Sequence, residues 1–562
     1  MIELSTLPDV ILTILLVIFL ARALGLYLSK VFMGRPSLLD PIMVPFESAL
    51  MRLMGVDPDH QMKWKEYAVA LLSLNAAGLI FAFLLLTFQG GLPLNSLGAP
   101  GMSWDLALHT AASFTTNTDF QHYVPEQQVS LLSSMLGLLV LMFLSAATGI
   151  SVMVAFTRGF SRRDGSIGNF YFDVTQAFTR VLLPLSVLGA LLFILAGVPQ
   201  TLTQSVTIYP WTGGAQTIPL GPVAAWDGIE FLGTNGGGFY AANAANPLQN
   251  PSAVTNLISV VLMLLIPFAS PFMFSRMVRR EQEARPLLAT ILSIFLLGLF
   301  LMIFFQSSNP FLASTGVSQS GGYLVGAEQR FTLPESALFQ VTSIYSNTGA
   351  TSMALGSLTP GAQIDLFWGM FLQCVPGGDG TGFGMLLINV ILAIFVGGLM
   401  VGRTPEYLGN KIGKHQMKWA AVTILSHPFA ILIPTAITFV FGLASFSGGT
   451  AAHQFTVVLY EFTSESANNG SGMSSLNDNT LFFNLAGTIV MLVGRYLPII
   501  AMLAIGGSLA STDPAPPGPG TLKTNSATFT IYLILFITIV TGLLFLPVLV
   551  MGPFAQGALG GP

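Results

Sequence analysis

Ten long apolar runs, separated by polar stretches of unequal length, dominate the pattern of this chain. They cover about 9–33, 67–88, 131–156, 175–198, 257–278, 286–306, 364–402, 419–444, 482–509 and 527–549. Each is near or above the ~20 residues that a helix needs to cross a bilayer. Alternating segments of ~10 residues, the signature of a membrane β-barrel, are absent. The pattern predicts an all-α polytopic membrane protein with ten transmembrane helices. The seventh run is too long for one crossing and contains VPGGDGTGFG (375–384). Pro376 and the glycines around it cannot continue as regular helix, so a broken span is expected. It carries Asp379 at membrane depth, where ionisable residues usually line a pathway or pair with another charge.

Four of the loops share a second pattern, a half-apolar segment followed by a polar turn. They read SWDLALHTAASFTTNTDF (103–120), AAWDGIEFLGTNGGGFY (224–240), ESALFQVTSIYSNTGATS (335–352) and FTVVLYEFTSESANNGSG (455–472). Each apolar part is ~10 residues, too short to span but long enough to re-enter the membrane as a helix. With Asn117, Asn235, Thr348 and Asn469 taken as equivalent points, the gaps are 118, 113 and 121 residues. A near-constant period of that size signals internal duplication. The expected organisation is an additional helix at 1–33, then pore unit one at 65–165 and unit two at 172–280. Unit three follows at 286–412 with its broken second helix, unit four at 417–512, and an additional helix with its tail at 525–562.

Non-helical backbone is tolerated at membrane depth only where protein buries it or where it lines a wet cavity. Four such turns around one axis would present rings of main-chain carbonyls, which can replace the hydration shell of a permeating K⁺. Helices entering the ring aim their partly negative C-termini at the cation. Glycine suits the close approach and positive φ of such a turn. Gly236, Gly237, Gly238, Gly349, Gly470 and Gly472 supply it in units two to four. Unit one has none, so Asn117 and Thr118 are expected to take the geometry, Asn being among the residues that tolerate left-handed φ. Asn469-Gly470-Ser471 also matches a glycosylation sequon, which the turn reading outweighs.

Composition agrees with a membrane chain. Hydrophobic residues make up 52%, charged residues 8%, and mean hydropathy is +0.72, against ~25% charged residues in a soluble chain. Seventeen of the 21 Lys and Arg fall in loops on one side, three lie within spans, and only Arg330 is on the other side. Basic loops mark the cytoplasm, so both ends of the chain are expected outside. The outer loops carry thirteen Asp and Glu, a negative surface that would concentrate cations.

Catalytic readings find little support. Gly397–Thr404 approaches a phosphate loop, but Arg403 stands where Lys should be and the segment ends a span instead of following a strand. No DKTGT phosphorylation sequence occurs, and no cytoplasmic loop could house a nucleotide domain. The chain is therefore expected to bind neither ATP nor Mg²⁺. Cys374 is the only cysteine, so no disulfide can form within the chain. His109 and His122 flank the first turn, yet the six histidines show no metal-ligand spacing and are read as structural. Arg180 and Arg495, within spans, are divided between packing or interfacial roles and a place on an ion path.

SWDLAL, TNTDFQ, GTNGGGF, NNGSG and GRTPEYLGNKI (402–412) resemble KdpA, the potassium-transporting subunit family of bacterial Kdp P-type ATPases, related to the K⁺-channel and Trk superfamily. The resemblance covers essentially the whole chain. It implies selective binding of K⁺ from outside and its transfer to a KdpB-like ATPase subunit, with KdpC-like and KdpF-like subunits completing a complex in the bacterial inner membrane. Nucleic acid has no place in it; membrane lipids surround it. Filter residues implied by the motifs are Thr116, Asn117 and Thr118; Thr234, Asn235 and Gly236; Thr348 and Gly349; Asn469 and Gly470. Gln121 would border the ion path below the selective site, Asp379 would lie in a gating loop, and Arg403 would be a positive barrier to cations. The family pattern leads us to expect an acid near the position of Gln373. A self-sufficient Trk- or Ktr-like channel or secondary transporter is the alternative.

Overall fold

The computed structural model describes residues 7–558 except 212, 315, 317, 320, 401, 403, 404 and 513–521. Arg403 therefore lies outside the described residues. Among the described residues, ten helices are long and apolar enough to cross a membrane. The first three are Leu7–Phe32, Trp64–Gly91 and Ser133–Ser161, followed by Phe170–Leu195, Ala253–Met277 and Glu281–Gln306. The last four are Thr381–Met400, Lys414–Val440, Leu481–Leu509 and Ala527–Ala558. We number them as spans one to ten. Outward-facing side chains such as Phe19, Leu195 and Leu543 are exposed and apolar, as a lipid-facing surface requires.

Short antiparallel ribbons and side-chain bridges fix which loops share a side. Met62–Lys63, after span one, pairs with Ser166–Gly168 after span three. Arg163 after span three bonds Asn410 after span seven, and Asn525 after span nine reaches Gln282, in the first turn of span six, at 2.6 Å. On the opposite side, Ser96 after span two donates to Gln204 after span four, and Arg330 after span six donates to the carbonyl of Asn250 at 2.8 Å. Odd-numbered connections thus gather on one side and even-numbered ones on the other. That is the alternation ten crossings demand.

Four shorter helices sit in the even-numbered connections: Trp104–Thr115, Val223–Leu232, Leu333–Tyr345 and Ala451–Ala467. The third starts on a capping box between Thr332 and Glu335, and the fourth on Thr450, whose hydroxyl accepts from the His453 amide at 3.3 Å. Both caps satisfy amides that the first turn leaves unpaired. At 17 residues the fourth is longer than its apolar stretch suggested, yet ~25 Å of helix still falls short of a ~30 Å hydrocarbon core.

Span seven is broken, over fewer residues than VPGGDGTGFG implied. A half-helix Pro360–Leu372 ends at Gln373 (φ 53°), and the span resumes at Thr381. Gly382 and Gly384 are helical after all. A Cβ on Gly384 would lie 2.5 Å from Met502 Sδ, so packing, which outweighs propensity, explains that glycine. The charge pattern also gave no hint of helix Asp40–Met54, between spans one and two. It settles Arg180, whose guanidinium pairs with Glu47 (2.5 Å) and Asp40 (2.6 Å). Arg180 is a packing residue held by acids of this same chain.

Candidate functional site

The C-termini of the four short helices meet, and each runs into the same turn. The amides of Thr118, Asn235, Thr348 and Asn469 donate to the carbonyls five residues earlier, Ser113, Glu230, Ser343 and Ser464, at 2.7–2.9 Å. The residue before each donor is left-handed: Asn117 (φ 64°), Thr234 (48°), Asn347 (52°) and Asn468 (52°). This corrects the repeat register by one residue in unit one, where Thr118, and not Asn117, matches Asn235, Thr348 and Asn469. The reading by residue type had aligned one asparagine with another; the hydrogen-bond pattern aligns backbone with backbone.

The next position is Gly236, Gly349 and Gly470 in three units and Asp119 in the first. Gly349 and Gly470 have φ near 90°, and Asp119 has φ 53°. A non-glycine residue there is strained unless its surroundings hold it. Asp119 is held by the bond from its amide to the Ser113 carbonyl (3.2 Å) and by the bond from Ser113 Oγ to the Phe120 carbonyl (3.0 Å). Ser343 repeats that arrangement in unit three, with its Oγ on the Ala350 carbonyl at 2.6 Å.

The turns close into a ring. Asn117 Nδ2 donates to the carbonyls of Gly233 (3.1 Å) and Thr234 (2.7 Å), joining unit one to two. A Cβ on Gly236 would collide with the Thr348 carbonyl, one on Gly349 with that of Asn469, and one on Gly470 with that of Thr118. Units two, three, four and one are thereby joined in order. The ring brings together the turn residues named from the sequence motifs: Thr116, Asn117, Thr118, Thr234, Asn235, Gly236, Thr348, Gly349, Asn469 and Gly470.

Gln121 lies elsewhere than expected. The chain leaves each helix C-terminus and climbs back outward, so a residue three beyond Thr118 belongs to the outer end of the turn. There Gln121 donates to the Gly238 carbonyl at 3.2 Å. The cavity under the ring is instead lined by Asn117, Asn347, Asn468, Gln373, Thr381 and Arg495. Arg495 donates to Thr381 Oγ1 (3.1 Å) and the Ser145 carbonyl (2.9 Å), which puts it beneath the ring and not at an interface. The break of span seven forms the cavity floor. The Asp379 amide donates to Thr234 Oγ1 at 3.0 Å and the Gly377 amide to the Tyr345 carbonyl at 2.9 Å. The carboxylate oxygens of Asp379 and Asp119 are buried without hydrogen-bond partners, and both lie within electrostatic range of Arg495. Gln373 stands in the cavity and donates to His427 Nδ1 at 3.0 Å, while Asp379 follows it in the same loop.

Arg495, Asn347 and Asn468 thus join the residues expected from the motifs. An Asn one residue before the repeated turn position in three of the four loops was the available signal.

The profile of the family described as the potassium-transporting ATPase A subunit, KdpA, matches residues 11–557. The chain belongs to the KdpA family. It is 42% identical over 545 residues to the potassium-transporting ATPase potassium-binding subunit of Geobacillus kaustophilus, covering 96% of this chain and 97% of that protein. The subunit of the same description from Nostoc sp. is 41% identical over 550 residues, covering 97% of each. In fold the chain is similar to the potassium transporter TrkH from Vibrio parahaemolyticus, with a TM-score of 0.52, 18% identity, and coverage of 86% of this chain and 97% of that one.

Proposed function

We propose that this chain is the potassium-binding and translocating subunit of an ATP-driven K⁺ uptake pump in a bacterial inner membrane. In this reading K⁺ enters from the acidic outer face and sheds water onto the main-chain carbonyls of the four-turn ring. It then passes into the cavity above Asp379 and Arg495 and on to a separate P-type ATPase subunit. KdpC-like and KdpF-like chains complete the assembly, and ATP with its Mg²⁺ is handled by the partner.

The observation that carries the reading is the closed ring of four left-handed turns in a chain of the KdpA family. Carbonyl oxygens in a buried ring suit a weakly hydrated monovalent cation. Asp379 and Arg495 beneath it offer opposite charges, so an ion leaving the ring meets both an attractive and a repulsive group. The broken span seven, bonded to the ring at Thr234, supports a gating role for residues 373–380.

The test is purification without tags on partner chains. Co-purification of an ATPase whose hydrolysis rises with K⁺ is expected. Robust K⁺ flux from the chain alone in liposomes would favour the Trk-like channel reading instead.

A further inference from the structure

The break in span seven is attached to the ends of three short helices. The Asp379 amide meets Thr234 Oγ1 in unit two at 3.0 Å, and the Gly377 amide meets the Tyr345 carbonyl in unit three at 2.9 Å. In unit four, Gln373 Nε2 donates to the Ser466 carbonyl at 3.3 Å. Carbonyls in the last turn of a helix lack partners within it, and the second and third bonds use two of them. Tyr345 holds span seven a second time, through its side chain. Its hydroxyl donates to Asp365 Oδ1, in the half-helix Pro360–Leu372, at 2.8 Å.

That bond is set deep in the protein. Tyr345 is 1% exposed and Asp365 3%, and Asp365 Oδ2 has no hydrogen-bond partner. Without the tyrosine hydroxyl the buried carboxyl would be stranded, and stranded buried groups are costly. Two glycines make room for the ring. A Cβ on Gly298 of span six would collide with the hydroxyl and Cε1, and one on Gly369 of the half-helix with Cδ2 and Cε2. The ring is thus enclosed along both edges, and Phe295 of span six meets it edge-on with centroids 6.4 Å apart.

We infer that Tyr345 is a positioning residue for the passage of K⁺, a role that rests on the potassium reading above. It does not touch the ion. Two residues beyond it, Asn347 lines the cavity under the ring, and the next residue, Thr348, is the third turn of the ring. On its other side, the carbonyl fixes Gly377 and the hydroxyl fixes the half-helix that ends at Gln373, another cavity residue. Tyr345 therefore keeps the third quarter of the ring and the loop beneath it in one register. The corresponding residues of the other units are Thr115, Leu232 and Ser466. The spans that follow them, three, five and nine, run unbroken. The tyrosine stands in the one unit whose following span is broken and has two pieces to align.

The test uses the chain assembled with its partner subunits in detergent. It follows ATP hydrolysis stimulated by K⁺ and by Rb⁺, beside the unfolding temperature. Tyr345→Phe is expected to raise the half-saturating K⁺ concentration about three- to tenfold, the scale of one buried hydrogen bond. It should also change the Rb⁺/K⁺ activity ratio, lower the unfolding temperature and leave the maximal rate near that of the unaltered complex. Asp365→Asn keeps the acceptor and should match the unaltered chain in its response to both ions. Tyr345→Phe combined with Asp365→Leu leaves no stranded acid, so the unfolding temperature should recover while half-saturation and ion preference stay altered. Recovery of all three in the paired variant would overturn the proposal and make the bond a packing element. Unchanged half-saturation in Tyr345→Phe, or an equal loss in Asp365→Asn, would overturn it as well. Hydrolysis by the unaltered complex that does not respond to K⁺ is a separate result, which would remove the potassium reading and this role with it. The paired variant decides the matter even where Tyr345→Phe is too unstable to purify.

Discussion

The main-chain amide of Asp379 donates a 3.0 Å hydrogen bond to Oγ1 of Thr234, so the break in span seven hangs from the second turn of the ring. Thr234 itself is a β-branched residue at φ 48°, a conformation that such residues rarely adopt. Its hydroxyl thus links ring strain to the loop beneath. Thr234→Val keeps shape and removes the acceptor. The buried amide then loses its partner, at about 1–3 kcal/mol. We expect lower apparent K⁺ affinity and weaker coupling of K⁺ binding to ATP hydrolysis in the assembled complex. Unchanged K⁺-stimulated hydrolysis in Thr234→Val would show that the link carries no signal.

Gly470 gives the second prediction. Its φ is 92°, and a Cβ would strike the Thr118 carbonyl. Gly470→Ala must therefore displace an oxygen that faces the ring axis in the proposed filter. A loss of K⁺ affinity of at least about tenfold, equivalent to ~1.4 kcal/mol, is expected in equilibrium K⁺ binding. Gly472→Ala is the control, because the nearest atoms to its Cβ belong to the Phe120 ring, a side chain that can give way. Equal affinities in the two variants would remove Thr118 from the ring of ligands.

Much of this architecture could be read before any coordinates. Ten apolar runs, four short segments and a glycine-rich break in the seventh span are local patterns, and ten spans, four short helices and a shorter break are found. The one-residue register of TTNTDF did not, because it depends on the amide of Thr118 reaching Ser113, and residue types alone favoured aligning asparagines. Partnerships across the chain were hidden for a different reason. Arg180 meets Glu47 across 133 positions, and His122 meets Glu461 across 339. No spacing rule reaches that far. Helix Asp40–Met54 is amphipathic and 15 residues long, so a pattern of apolar runs near the ~20 residues of a membrane span does not register it.

Asp119 occupies the position that is glycine in the other three turns, with φ 53° and a buried carboxylate lacking hydrogen bonds. Asp119→Gly relieves the left-handed strain and the buried charge together, and the unfolding temperature should rise. If the carboxylate contributes to drawing K⁺ into the ring, affinity should fall at the same time. Asp119→Asn separates the two effects, since it keeps the side chain and removes the charge. Equal K⁺ affinity in all three proteins would make Asp119 a purely conformational element.

Arg180 provides the last prediction because two functions were open to it. Its Nε and Nη2 contact the two oxygens of Glu47 at 2.7 and 2.5 Å, and Nη1 meets Asp40. Thr179 Oγ1 donates to the same Glu47 oxygen at 2.6 Å, and Ser37 donates to Asp40 from its amide at 2.8 Å. The cluster staples helix Asp40–Met54 to span four. Removing Arg180 leaves Glu47 buried and without a cation, which costs about 3–5 kcal/mol, whereas removing Glu47 leaves Arg180 its second acid, Asp40. Both variants should lower thermal stability in detergent, Arg180→Ala by more than Glu47→Ala. The pair Glu47→Leu with Arg180→Met, replacing both charges by apolar groups, should recover most of the loss. K⁺ affinity should be unchanged in every folded variant, since the guanidinium is committed to these acids and does not line the cavity beneath the ring. A shift in K⁺ affinity without loss of stability in Arg180→Ala would return this arginine to the ion path.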